Sequence, residues 1–158
     1  MTTPITRFTG QWVALSNYHI LSYPIPLHDY SCISTEHYYQ LYRVWNEEDR
    51  TAVAKCATAG RAKRLAHKLD KAVNPLYPVN EHFDPIQEPV MERAIWHKFR
   101  PGTVEANILI STGDAHLEEG NYHHDDKWGS CYCPRHISVP GQNLLGKLLM
   151  KKRDELTS

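Results

Sequence analysis

The sequence predicts an α+β fold: a single compact, mainly helical domain over residues 1–158 with a few short N-terminal strands. Three observations predict it. From residue 34 onward, apolar residues recur at helical spacing in segment after segment. Patches of β-branched and aromatic residues, cut short by Gly, Asn and Pro, are confined to residues 5–30. The chain has 158 residues, of which 41% are hydrophobic and 23% charged, which suffices for one buried core and requires no second domain.

The β-type patches lie at residues 5–8, 12–15 and 19–23, interrupted by Gly10, Ser16-Asn17, Pro24 and Pro26. Asn17 sits between two of them, where its side chain can bond its own backbone and hold a turn. Alternatively, its amide, with one acceptor and two donors, can hold a substrate hydroxyl or phosphate from that turn.

Residues 34–45 read as one helix with two opposed faces. Tyr38, Leu41, Tyr42 and Trp45 share one stripe; Glu36, Gln40 and Arg43 share the opposite one. Ser34 or Thr35 can cap the first turn, where the helix dipole favours the Glu36 carboxylate. Taken alone, the polar stripe reads as a solvated face.

Two further helices are expected at 47–59 and 61–72, separated around Gly60. The second holds Arg61, Lys63, Arg64, His67, Lys68 and Lys71. Such runs are commonly solvated faces, but Lys63 follows the small residues Ala59 and Ala62, so a ligand phosphate can approach it. Asn74-Pro75, Pro78 and Asn80 predict an irregular connection over 73–83. Asp84-Pro85 predicts a helix start and Arg100-Pro101-Gly102 its stop. A helix follows over 103–111, and the last, over 143–156, has Asn143 as a plausible cap, Lys152 on its leucine side and Arg153 toward water.

Residues 114–141 are polar and turn-rich. Within them Asp125-Asp126-Lys127-Trp128-Gly129 places a carboxylate three residues before an indole that abuts a glycine, a plane for stacking beside backbone that a ligand can approach. The plain alternative is a Trp that lids the core. Cys131-Tyr132-Cys133, with His136 and His123-His124 nearby, raises a zinc reading. Cys-x-Cys is tighter than the usual zinc spacing and a second ligand pair is not evident, so no metal and no cofactor are expected.

A formal net charge of +0 offers no global attraction to nucleic acid or anionic lipid. No apolar run has the length of a membrane span or the form of a signal peptide, so a cytoplasmic protein with thiol cysteines and no membrane partner is expected. No P-loop, dinucleotide-binding Gly-rich fingerprint, Gly-x-Ser-x-Gly elbow or His-Glu-x-x-His motif is present, which leaves Walker-type hydrolysis, hydride transfer, serine esterase and zincin chemistry without support.

Eight blocks, in order, resemble the NADAR family, the NAD- and ADP-ribose-associated proteins that include N-glycosidases of riboflavin-biosynthesis intermediates. They are Leu15-Ser16-Asn17-Tyr18, the run from Ser34 to Gln40, Ala62-Lys63-Arg64-Leu65, Met91-Glu92-Arg93-Ala94 with Lys98-Phe99, Thr112-Gly113, Leu117-Glu118-Glu119, Asp125-x-x-Trp128-Gly129, and the run from Gly141 to Met150. The resemblance implies hydrolysis of a ribosyl C1–N bond. It supplies two substrate classes: ADP-ribosylated guanine, which extends to ADP-ribosylated DNA or RNA, and phosphoribosylated riboflavin intermediates. By motif it carries over Glu36, Asp125, Trp128 and Asn143. Arg43 stands where relatives often have Lys, a fork in place of a point charge. The loop over 130–140 is longer than in shorter relatives.

Cleavage of such a bond builds positive charge on the sugar, so two carboxylates suffice: one to stabilise that charge, one to deprotonate water. The expected catalytic pair is Glu36 and Asp125, with Asn17, Gln40, Arg43, Lys63, Trp128, Gly129 and Asn143 binding substrate and Arg43 and Lys63 taking phosphate. The alternatives are a silent binding module for ADP-ribose or NAD, and a nucleic-acid binder resting on the 61–71 run.

Overall fold

In the computed structural model, which describes residues 2–73 and 80–158, Ser34 accepts a hydrogen bond on its side chain from His37 N at 3.1 Å and opens α1, Thr35–Leu41. The protein is a mainly helical α+β fold with two small sheets. It comprises two compact units, residues 17–98 and residues 1–16 with 99–158.

In the unit of residues 17–98, β1 (Ile25–Leu27) and β2 (Tyr30–Cys32) form an antiparallel hairpin with Ile25 opposite Cys32. It leads into α1, which packs against α2 (Glu47–Ala54), α3 (Ala59–Val73) and α4 (Gln87–Lys98). With neighbours around it, every residue of α1 is buried. The polar stripe is therefore not solvated; α3 turns the small residues Ala59, Ala62 and Ala66 inward, allowing close approach, and Asp70 with them. α1 is shorter than its periodicity suggests. Tyr42 N and Arg43 N bond three residues back, to Tyr39 O and Gln40 O, and Trp45 lies outside the helix, 45% exposed with its ring 4.4 Å from that of His82.

Gly60 lies inside the first turn of α3 rather than between helices. Asp84-Pro85 opens a 3-10 turn, Asp84–Ile86, that runs into α4. Here Phe83 is fully buried, edge-on to Tyr39 at 4.9 Å and beneath Arg43 at 4.6 Å. Of the irregular connection expected over 73–83, residues 74–79 lie outside the described residues.

In the other unit, residues 10–15 form a 3-10 helix, not a strand, and Ile5 makes only an isolated bridge, to Leu117. The alternation there reflects half-buried turns: Ala14 and Leu15 are buried while Val13 is exposed. The 3-10 helix packs against α5 (Val104–Ser111), capped by Thr103 with Ala106 N at 3.1 Å, and α5 packs against α6 (Leu144–Thr157). Arg153 is buried, not solvated: its guanidinium donates to Thr112 Oγ1 and Ala115 O, each at 2.8 Å, tying α6 to the end of α5. Between these helices β3 (Gly120–Asn121) and β4 (Ser130–Cys131) run parallel. No described helix is long and apolar enough to cross a membrane.

Candidate functional site

Glu36 occupies the first turn of α1, 6% exposed, and its orientation is set by a chain of side-chain bonds. Arg43 has only donors, so its Nε, 2.9 Å from Gln40, requires the amide oxygen there. That turns the Gln40 NH2 to Glu36 Oε1 at 2.6 Å. Arg43 is held in turn by Asp70, Nη1 to Oδ2 at 3.3 Å, and Asp70 Oδ1 accepts from Asn80 Nδ2 at 2.9 Å. Five side chains from α1, its C-terminal turn, α3 and the residue before the turn that leads into the Asp84–Ile86 3-10 helix thus form one buried relay. A buried polar chain of this kind specifies a single geometry only if its members are paired.

Asn17 fixes the other side of Glu36. Its carbonyl accepts from Glu36 N at 3.1 Å, satisfying one of the orphan N–H groups of the helix start, and from Thr35 Oγ1 at 3.1 Å. Its Oδ1 lies 3.0 Å from the same hydroxyl.

Tyr18, the next residue, feels the charge of both Glu36 and Lys63. Burial raises its phenol pKa first; Lys63, which also hydrogen-bonds the phenol, opposes that, and the Glu36 charge adds to it. The Tyr18 ring is against the start of α3, where a methyl on Gly60 would touch it at 3.8 Å. One turn on from Lys63, His67 has Nε2 buried with no hydrogen-bond partner among the described residues. Its pKa falls to about 4, first through burial and then through Arg43, Lys63 and Lys71. Here a carboxylate, a phenol, an imidazole and several cations share one region of this unit. No catalytic motif marks Tyr18, His67 or Asp70; for His67 and Asp70 the small-residue spacing of Ala59, Ala62 and Ala66 is the available sign that their helix is covered. A separate apolar groove, lined by Leu27, His28, Tyr30, Leu41, Tyr42 and Arg50, does not include Glu36.

His37, beside Glu36, is a packed histidine. Its Nε2 is 2.9 Å from Cys56 O and its Nδ1 2.7 Å from Ser34 Oγ, and burial lowers its pKa.

The second unit brings together Asp125, Trp128, Gly129 and Asn143. Asp125 Oδ1 accepts from Lys127 N at 3.2 Å and Trp128 N at 2.9 Å, so the carboxylate itself folds the turn that presents the indole. Asn121 clasps Asp125 from the other side, Nδ2 to the Asp125 carbonyl at 2.8 Å. Lys127 Nζ lies 5.6 Å from the Trp128 ring centroid. A side chain on Gly129 would overlap the Glu119 carbonyl, so it is the chain itself that approaches this glycine closely. Asn143 does not cap α6 through its side chain. It sits in the left-handed region at φ 49°, and its amide bridges Leu117 O at 2.9 Å and Glu119 N at 3.1 Å.

One set of metal-ligating groups occurs among the described residues. His124, Cys131, Cys133 and His136 bring one ligand atom each to within 4.8 Å of one another, and the two histidines supply the second pair that the Cys-x-Cys spacing alone lacked.

The family model for the NADAR domain matches residues 6–157. The chain is 26% identical over 135 residues to N-glycosidase YbiA of Escherichia coli strain K12, covering 85% of this chain and 77% of that protein. It is 31% identical over 123 residues to a riboflavin biosynthesis protein of Vibrio vulnificus, covering 78% of this chain and 30% of that one. The NMR structure of E. coli YbiA matches with a TM-score of 0.73 at 25% identity, over 99% of this chain and 87% of that chain.

Proposed function

The chain belongs to the NADAR domain family, and from that premise we propose that it is an N-glycosidase that hydrolyses the bond between ribose C1 and a base nitrogen in a phosphoribosylated riboflavin intermediate. The observation that carries this reading is Glu36, a buried carboxylate aimed by the Gln40–Arg43–Asp70 relay. As the C1–N electrons leave with the base, the sugar becomes cationic; water adds at C1 and gives its proton to a carboxylate, from which a proton returns to the departing nitrogen. Glu36 takes that proton, and Asp125 holds the ribose hydroxyls. Trp128 stacks on the base. Lys63, beside Tyr18, takes phosphate, while Arg43 orients Gln40 and adds positive potential. The Asn17 amide binds a sugar hydroxyl, and Gly129 and Asn143 hold the backbone that frames Trp128. The names of the two relatives, an N-glycosidase and a riboflavin biosynthesis protein, favour this substrate.

ADP-ribosylated guanine is the second reading. It is favoured by the cations of α3, which exceed what one monophosphate uses: Arg61, Lys63, Arg64, Lys68 and Lys71. A side-by-side assay of both substrates separates the two, with release of ribose 5-phosphate or of free ADP-ribose as readout. Binding of either without release of base, at enzyme concentrations equal to substrate, overturns the hydrolase in favour of a binding module.

A further inference from the structure

His124, Cys131, Cys133 and His136 lie in one unit and converge on one point. Cys131, fully buried on β4, is held by its N–H to Pro140 O at 2.6 Å, which closes the 131–140 loop on itself. Cys133 starts a turn in which His136 N donates to Cys133 O at 3.0 Å, and that turn carries His136 Nδ1 to 3.2 Å from Cys133 Sγ. His124 arrives from the preceding loop, with φ at 69°, in the left-handed region. Its Nδ1 is 3.4 Å from Cys133 Sγ and 3.5 Å from His136 Nδ1.

These separations of 3.2, 3.4 and 3.5 Å, with all four ligand atoms within 4.8 Å of one another, are close to those that one shared ion imposes. Two neutral rings of complementary tautomer and a thiol can share protons in pairs, but pairwise bonding does not require all four ligand atoms, two sulfurs included, to gather within 4.8 Å of one another as they do. Around a tetrahedral zinc, with bonds of about 2.3 Å to sulfur and about 2.0–2.1 Å to nitrogen, ligand atoms stand roughly 3.4–3.8 Å apart. The donor set is two thiols and two imidazoles, which suits zinc and not the oxygen-seeking calcium or magnesium.

We propose that these four residues form a structural zinc site, a closed Cys2His2 tetrahedron that staples the loop carrying Asp125 and Trp128. On binding, each thiol releases its proton to solvent and its sulfur bonds the ion, while each imidazole binds neutral through Nδ1. With four protein ligands no position stays open for water, so the ion holds structure and does not activate a nucleophile. His124 directly precedes Asp125 and Cys131 follows Trp128 by three residues, so the ion fastens both ends of the segment that presents them. The site stands apart from the proposed reaction, and its test does not read hydrolysis.

The full chain, purified in reducing buffer without chelator, is analysed for metal and then reconstituted with Co2+. The expected result is about one zinc per chain and, with cobalt, the intense visible bands of a tetrahedral ion together with a thiolate charge-transfer band. Cys133→Ser and His136→Asn should lose both, and His123→Asn, which alters the neighbouring histidine outside the four, should keep both. Should the Cys variants not fold, chelation of the wild type gives an independent reading: removing zinc should make Cys131 and Cys133 newly reactive toward a thiol reagent. Substoichiometric metal with a pale octahedral cobalt spectrum, or thiol reactivity unchanged by chelation, overturns the site.

Discussion

Gln40 donates from Nε2 to Glu36 Oε1 across 2.6 Å, one helical turn away on the same face of α1. The direction of that bond is imposed from a distance. Asp70 on α3 holds Arg43, Arg43 claims the Gln40 oxygen, and the Gln40 amide is left to present its NH2 to the acid. A residue 34 positions away thereby orients the proposed general base.

Glu36→Gln removes the charge with little change in shape. Because positioned acid–base catalysis contributes about 10²–10⁴-fold, turnover should fall by at least about 100-fold while the melting temperature stays within a few degrees. Initial-rate measurement of base release checks this; wild-type kcat in the variant would remove Glu36 from the mechanism.

Arg43 and Asp70 are both buried, with side chains 10% and 2% exposed. Removing one partner of a buried pair costs about 3–5 kcal/mol, whereas replacing both with apolar groups is often near neutral. Arg43→Met alone should therefore lower the urea midpoint strongly, and Arg43→Met with Asp70→Leu should recover much of it. Activity should not return with stability, because the Gln40 amide has lost the donor that fixes it. Recovery of both together would show that the relay matters to folding only.

Much of the framework was legible because it is local. Ser34, one of the two caps expected, caps α1, and Thr103 caps the helix expected over 103–111, since the donor each accepts is three residues away. The relay was not, because Arg43 meets Asp70 across 27 residues and no local pattern encodes that pairing. The same holds for Arg153, whose acceptors lie near residue 112. Residues 12–15 misled in the opposite way: β-branched and aromatic content predicts a strand, but tertiary packing took them as a 3-10 turn.

His67 makes stability depend on pH. Its folded pKa is about 4 against an ordinary 6.5. As pH falls below about 6.5, the unfolded chain takes up a proton that the folded chain refuses until about 4, so the native state loses stability across that window and not above it. His67→Gln should flatten the slope. Urea denaturation near pH 7 and near pH 4.5 measures it, and parallel slopes in the two proteins would deny His67 this role.

Asn143 reads as a clamp between Leu117 and Glu119 in a left-handed conformation. Asn143→Ala strands a buried carbonyl, at about 1–3 kcal/mol, and keeps a Cβ in left-handed backbone, which costs roughly 1–2 kcal/mol, without the local side-chain bonds that let Asn tolerate it. Asn143→Gly loses the bonds but not the backbone freedom, so it should be the milder of the two by thermal melting. Equal losses would mean that backbone strain contributes nothing there.

Asp125 has two separable parts, an oxygen that folds the turn and a charge. Oδ1 accepts from Lys127 N and Trp128 N, and an asparagine oxygen can do the same. Asp125→Asn should thus retain the turn and remove only the charge; Asp125→Ala should lose both. If Asp125 serves by gripping ribose hydroxyls, Asp125→Asn should raise KM with a modest change in kcat, and Asp125→Ala should be worse in KM and in thermal stability. If instead Asp125 is the base that deprotonates water, Asp125→Asn should depress kcat as far as Glu36→Gln does, and the two substitutions combined should cost little more than either alone, since residues acting in one step are not additive. Single-turnover rates on the four proteins assign the proton acceptor to one carboxylate or the other.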